Sequence, residues 1–255
     1  MRILVSNDDG IDAPGLGLLA EAALAVGSDV WIVAPERKWT AASHQLSFDR
    51  DLTLTLIGER TFACSGTPAD CVVAAMTILF AGNAKPDLVL AGLNDKRNVA
   101  EDIAYSGTMA IAREGAFWGI PAIGVSKTDG VRDRLSELSA LQRFLQVLWD
   151  NRRDWAGDGH WLSVNMPALL PAPLWQARLG RDKIANASDV LERTPERITY
   201  RIRRGRPGSS VPDDENALID KGCATIVRHR WFADAAIPET VVLAWNDAMA
   251  RASKS

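Results

Sequence analysis

The sequence predicts an α/β fold in three layers, built on a mostly parallel sheet. Two observations carry that prediction. Up to Met166, short β-rich runs alternate with helical apolar patterns, the rhythm of βαβ units whose helices cover both faces of a sheet. The chain has 255 residues, 47% hydrophobic and 24% charged. That is ordinary globular composition at a length that buries a real core without staples.

Arg2–Ser6 (RILVS) is a short apolar run ending in a polar turn, as a buried parallel strand requires. Pro14 suits the first position of a helix with Leu16, Leu18, Leu19, Ala22, Ala23 and Val26 on its apolar face, closed by Gly27. Asp29–Pro35 reads as a second strand, Thr67–Phe80 as a helix with Pro68 near its start, and Asp87–Leu93 as another buried strand. Ser106–Phe117 is a helix followed by the strand Pro121–Ser126. Asp133–Asn151 is the clearest amphipathic helix, with Leu135, Leu138, Leu141, Phe144, Leu145, Leu148 and Trp149 at steps of three and four. Trp161–Asn165 adds one more core strand.

After Pro167 the character changes. Pro167, Pro171 and Pro173 crowd together, and Leu174–Leu179, Ile198–Ile202 and Cys223–Arg228 stand as isolated β-like runs. Arg201–Glu215 is charged and rich in Gly and Pro, the composition of a loop or arm, and Pro238–Ala252 closes the chain as a helix. The expected organisation is a core over residues 1–166 and a β-rich extension over 167–255 that packs on the core or on another subunit.

Charge and cysteine usage exclude several classes. Lys+Arg 29 against Asp+Glu 32 leaves a net charge of -3, with no basic surplus for a nucleic-acid backbone. Apolar stretches break well before about 18 residues, so neither a membrane span nor a signal peptide is expected. Cys64, Cys71 and Cys223 have no C-x-x-C spacing and read as reduced thiols of a cytoplasmic protein. His44, His160 and His229 show no metal-ligand spacing. His44 falls in the polar loop after the second strand, where a site role is open.

The candidate chemistry sits at strand ends. Asn7-Asp8-Asp9-Gly10 directly follows the first strand, where parallel α/β sheets carry their ligands. Two adjacent carboxylates need positive charge nearby, and a hard divalent cation with oxygen ligands would supply it. An acidic turn would account for the same residues taken alone. Asn94 ends a later strand and offers an amide oxygen. Ser106, Gly107 and Thr108 open a helix, where hydroxyls and free N–H groups suit a phosphate, although a plain N-cap explains them equally. Gly66-Thr67-Pro68 reads as another well-made helix start. Gly15-Leu16-Gly17-Leu18-Leu19-Ala20 matches G-x-G-x-x-A, with Glu36 as the acid. Its glycines fall inside the helix rather than in the turn, and Asp8 and Asp9 would repel a pyrophosphate, so a dinucleotide site is not expected.

Taken in order, ILVSNDDGIDAPGL, VAPERKWTAASHQLS, SGTPADCV and PDLVLAGLNDKRNVAEDIAYSGTMAIAREGAFWGIPAIGVS resemble the successive motifs of the SurE family of survival-protein nucleotidases. The likeness is strong over residues 2–126 and weaker beyond, where SVNMP and ALIDKGCATI are degraded versions of later segments. It implies a Rossmann-like core with a β-rich C-terminal extension, assembled as a homodimer or homotetramer partly by exchange of segments. It also implies a phosphomonoesterase that needs a divalent metal cation, Mg2+ or Mn2+, and acts on nucleoside monophosphates. Asp8, Asp9, Thr40 and Asn94 would hold the metal, with Asp8 and Asp9 also catalytic. Asn98, Ser106, Gly107 and Thr108 would bind the phosphate.

This chain departs from the family pattern at two loops. Thr40-Ala41 stands where the family has Ser-Gly, and Asn94-Asp95-Lys96-Arg97-Asn98-Val99-Ala100 replaces N-x-G-x-N-x-G, so Lys96 and Ala100 take the places of glycines. A position that needs positive φ would there be strained, or the loop would take another path. These departures motivate the alternative of a SurE-like protein that binds metal or nucleotide with little or no phosphatase activity.

Overall fold

The computed structural model describes residues 1–129, 133–182, 184–203, 205, 212–231 and 237–252. In chain order its elements are β1 (Arg2–Ser6), α1 (Pro14–Ala23), β2 (Asp29–Pro35), β3 (Leu54–Gly58), β4 (Thr61–Cys64) and α2 (Pro68–Ala74), which a π-helical turn (Ala75–Leu79) prolongs. Then come β5 (Leu88–Asn94), α3 (Asp102–Tyr105), α4 (Gly107–Phe117), β6 (Ala122–Lys127), α5 (Arg134–Asp150), α6 (Arg152–Trp155) and β7 (His160–Met166). The chain ends with β8 (Leu174–Gln176), β9 (Ser188–Arg193), β10 (Ile198–Ile202), α7 (Glu215–Asp220), β11 (Ala224–Arg230) and α8 (Glu239–Ala252).

A nine-stranded sheet runs in the order β3-β4-β2-β1-β5-β6-β7-β11-β8, and β9 and β10 form a separate antiparallel pair. The six strands from β4 to β7 are mutually parallel. Only β3 and β11 run against their neighbours β4 and β7. The expected three-layer α/β architecture is therefore present. Of the β-like runs after Pro167, two join this large sheet and Ile198–Ile202 lies in the small one.

Alternation along β1 explains the layers. Ile3 and Val5 face one core with Leu16 and Leu19 of α1 and Leu141 and Leu145 of α5. Leu4 faces the other, with Val72 of α2 and Met109 and Ile111 of α4. Both faces being covered, the central strands β1, β5, β6 and β7 are buried almost throughout and read as apolar runs rather than alternating ones, whereas β2 and β4 are half-buried at their starts.

Local signals set the helix starts. Pro14 opens α1, and its two glycines lie inside the helix as expected. Thr67 and Asp70 form a reciprocal capping box on α2, and the Ser106 hydroxyl accepts from Met109 N–H at 3.1 Å to cap α4. The β3–β4 hairpin, β9 and the short helices α3, α6 and α7 carried no sequence signal we recognised. Arg201 and Ile202 end β10 and Glu215 begins α7, whereas 204 and 206–211 of the expected arm lie outside the described residues.

The backbone keeps left-handed geometry at both alanines that replace glycine, with φ 56° at Ala41 and 53° at Ala100. Such a conformation costs an L-residue about 1–2 kcal/mol. Ala41 is exposed, so its methyl group contributes no burial in return. Ala41→Gly should therefore stabilise the protein by about 0.5–1 kcal/mol after the entropy of glycine is subtracted. A urea unfolding midpoint that rises checks this.

Candidate active site

Strand order reverses between β1 and β5. From β1 the chain moves outward through β2 to β4, and then returns to lay β5, β6 and β7 on the other side. The carboxyl ends at such a switch point diverge and leave a crevice. Asp8 and Asp9 follow β1 there, and Asn94 is the last residue of β5. The crevice, about 540 Å³, is lined by six of the expected residues, Asp8, Asp9, Thr40, Asn94, Asn98 and Ser106.

Short-range bonds shape the acidic turn. The Asn7 side chain donates to Gly10 O at 2.9 Å and accepts Gly10 N–H at 3.2 Å. Trp39 N–H donates to Asp8 O at 2.7 Å, which ties the loop after β2 to the same turn. Asp8 is 8% exposed, and its Oδ1 accepts the Thr108 hydroxyl at 2.6 Å. Gly107 permits this contact, because a Cβ at that position would come within 2.6 Å of Asp8 Cβ. Burial pushes the Asp8 carboxyl up to about 6, the Thr108 bond opposes it, and the Asp9 charge raises it further. Asp9 is instead met by the Lys38 ammonium.

The other expected residues divide into two groups. Ser106 lines the crevice at the start of α4, where the helix dipole favours an anion. Gly107 and Thr108 lie behind it, Thr108 fully buried with its hydroxyl given to Asp8. Asn98 is fixed from β6 and β7. Its amide donates to Ser126 Oγ at 2.8 Å, its N–H donates to Asn165 Oδ1 at 2.7 Å, and its carbonyl accepts from Asn165 at 2.9 Å. Asn94 donates its amide N–H to Lys96 O, which leaves its oxygen as the ligand-type atom. Lys96 and Arg97 also line the crevice, and Arg97 is paired with Asp220 at 2.8 Å.

Among the described residues, no three His, Cys, Asp or Glu side chains gather to hold a metal. The donors at hand are two carboxylates, a hydroxyl and an amide oxygen. That all-oxygen set fits a hard cation, and Asp8, buried beside a second carboxylate, has no cation of its own among the described ion pairs.

Three supports escaped sequence reasoning because each joins residues far apart in the chain. His44 lies 2.6 Å from Glu114 on α4 and accepts from Arg113 Nε at 2.9 Å on its Nδ1. The ring is therefore the Nε2–H tautomer, donating to Glu114. Together with Ser43 N–H on Tyr105 O at 2.9 Å, it clamps the Thr40 loop to α3 and α4. Glu215, fully buried with its carboxyl pushed up to about 7 by burial, accepts Ala100 N–H and holds the Asn94–Ala100 loop from α7. The third is Asn165. Its only sequence signal is its position at a strand's carboxyl end.

The profile of the family described as "Survival protein SurE" matches residues 3–186. A protein named "5'-nucleotidase SurE" from Bradyrhizobium sp. is 43% identical over 173 residues, 67% of this chain and 68% of that one. Another of that name from Rhodopseudomonas palustris is 37% identical over 222 residues, 86% and 85% of the two chains. The crystal structure of a SurE protein from Aquifex aeolicus superposes with a TM-score of 0.77 at 25% identity, covering 94% of this chain and 98% of that one.

The raised Asp8 carboxyl sets a pH dependence for the cation-free protein. It holds its proton to about pH 6, against an ordinary value of 3.8, so the folded state binds more protons between these values. Stability then falls as pH rises through that window. Asp8→Asn keeps the acceptor for Thr108 and removes the charge. At pH 7 it should stabilise cation-free protein by about 1–3 kcal/mol, and the gain should vanish near pH 4. Paired urea titrations at the two pH values measure it.

Proposed function

The chain belongs to the SurE family, and from that membership and the crevice geometry we propose that it hydrolyses nucleoside monophosphates to nucleoside and inorganic phosphate. The observation that carries this reading is the Asp8–Asp9 pair set against the Ser106-capped start of α4 in one crevice. Magnesium or manganese would be held by Asp8, Asp9, Thr40 and Asn94. When bound, it supplies Lewis-acid charge at the phosphoryl group.

This chain's own groups do the rest. Ser106 and the first N–H groups of α4 receive the phosphate, which the helix dipole favours. Asn98, anchored to β6 and β7, lines the same crevice. Thr108 occupies Asp8 Oδ1 and so fixes the carboxylate's orientation, while the Asp8–Asp9 pair takes the proton of the attacking water. Lys96 adds positive charge at the rim.

We also read the protein as a cytoplasmic homo-oligomer. Three free thiols fit a reducing compartment, and no described helix is long and apolar enough to cross a membrane. Val190, Leu191, Ile198, Tyr200 and Ile202 of the β9–β10 pair are exposed, which fits an assembly role for residues 167–255 beside a catalytic core of residues 1–166.

Phosphate release from a panel of nucleoside monophosphates and an aryl phosphate tests the proposal, using metal-stripped protein with and without Mg2+ or Mn2+. Release should require the cation. Asp9→Asn should lower kcat/KM by more than about 100-fold, beyond the usual loss for an outer-sphere group. Cation-independent release, or an Asp9→Asn protein as active as the native one, would contradict it. Ser106→Ala should lose about 1 kcal/mol of stability with its N-cap and raise KM, a loss visible in thermal melts and initial rates.

A further inference from the structure

Three cationic side chains line the crevice, and they are held very differently. Arg97 is fixed on α7 through Asp220 at 2.8 Å and Asn216 at 3.0 Å. Among the described contacts, Lys96 has no ion-pair partner. Among the described ion pairs Lys38 joins Asp9, one of the carboxylates the proposed function gives to the divalent cation, and the Asp95 and Asp8 charges add to the negative field around it.

The root of Lys38 is anchored and its end is exposed. Ile11 N–H on Pro35 O at 2.8 Å and Trp39 N–H on Asp8 O at 2.7 Å pin the backbone on either side. The side chain itself is 58% exposed, against 11% for Asp9, so a departure of the ammonium would leave the core undisturbed. A four-carbon stem with three rotatable donors suits a point charge that changes partners. Asp8, Asp9 and Ser106 belong to the same lining as Lys38.

We infer that Lys38 exchanges partners: its ammonium neutralises Asp9 in the cation-free crevice and moves to a phosphate oxygen once a divalent cation takes Asp9. This rests on the phosphatase reading and adds to it a substrate-binding residue that also competes with the metal. Lys38 then opposes cation binding and favours phosphate binding, so its removal changes the two affinities in opposite directions.

The test is binding rather than turnover. Electron paramagnetic resonance of free Mn2+ gives the affinity for the metal alone, and calorimetry of the Mn2+-saturated protein gives the affinity for inorganic phosphate. Lys38→Met should bind Mn2+ about fivefold more tightly and phosphate about fivefold more weakly, the upper worth of a partly exposed ion pair. Lys38→Arg should keep both affinities near those of the native protein. Equal Mn2+ affinities in the native and Lys38→Met proteins, or changes of the same sign for both ligands, overturn the exchange while leaving the phosphatase reading intact. A native protein that binds no Mn2+ overturns both.

Discussion

A carboxylate withdrawn from water beside a second carboxylate has to be met by donors or by positive charge, and the crevice is organised around that demand. Asp8 is the buried member of the pair, and the Thr108 hydroxyl answers it from α4. That contact requires α4 to approach β1 closely, which only glycine at position 107 allows. The approach in turn brings the positive end of α4, capped by Ser106, to the same carboxyl edge of the sheet. One hydrogen bond therefore joins the strand that carries the acids to the helix that faces them. The charge that remains on Asp8 raises the free energy of the cation-free fold, a cost common at sites that bind cations.

Most of this was legible in the sequence where the signal is local. Strand ends, helix caps and Pro at first turns depend on a few adjacent residues. Thus Arg2–Ser6, Asp29–Pro35 and the start of α4 could be read directly. The position of the acid pair followed from strand order as soon as the sheet was read as parallel. What could not be read depends on register across the chain. The His44–Glu114 contact spans 70 residues and the Ala100–Glu215 contact 115. No short-range pattern marks either. The β3–β4 hairpin escaped although Leu52, Leu54 and Leu56 alternate with Thr53 and Thr55, the period of a strand, because Leu54–Gly58 is a mostly exposed edge strand outside the run of buried ones.

The two altered loops show how strain is accommodated. Ala41 and Ala100 retain a backbone that favours glycine. Each sits in a segment anchored from outside itself. His44 and Ser43 hold the first loop on α3 and α4, and Glu215 and Asn165 hold the second from α7 and β7. Unfavourable dihedral angles persist where the surroundings over-determine them. Ala41 and Ala100 thus keep the left-handed backbone, held by these anchors, whereas Lys96 is not among the residues with positive φ.

Glu215 also puts the crevice on a clock. The acids lie at positions 8 and 9, but the loop that faces them is held by a residue near the other end of the chain. At ordinary synthesis rates, about 10–40 s separate the emergence of Asp8 from that of Glu215. During that interval β7 has no β11 beside it, so one edge of the growing sheet is open. A ribosome-bound chain therefore carries the acidic turn well before it carries the finished wall.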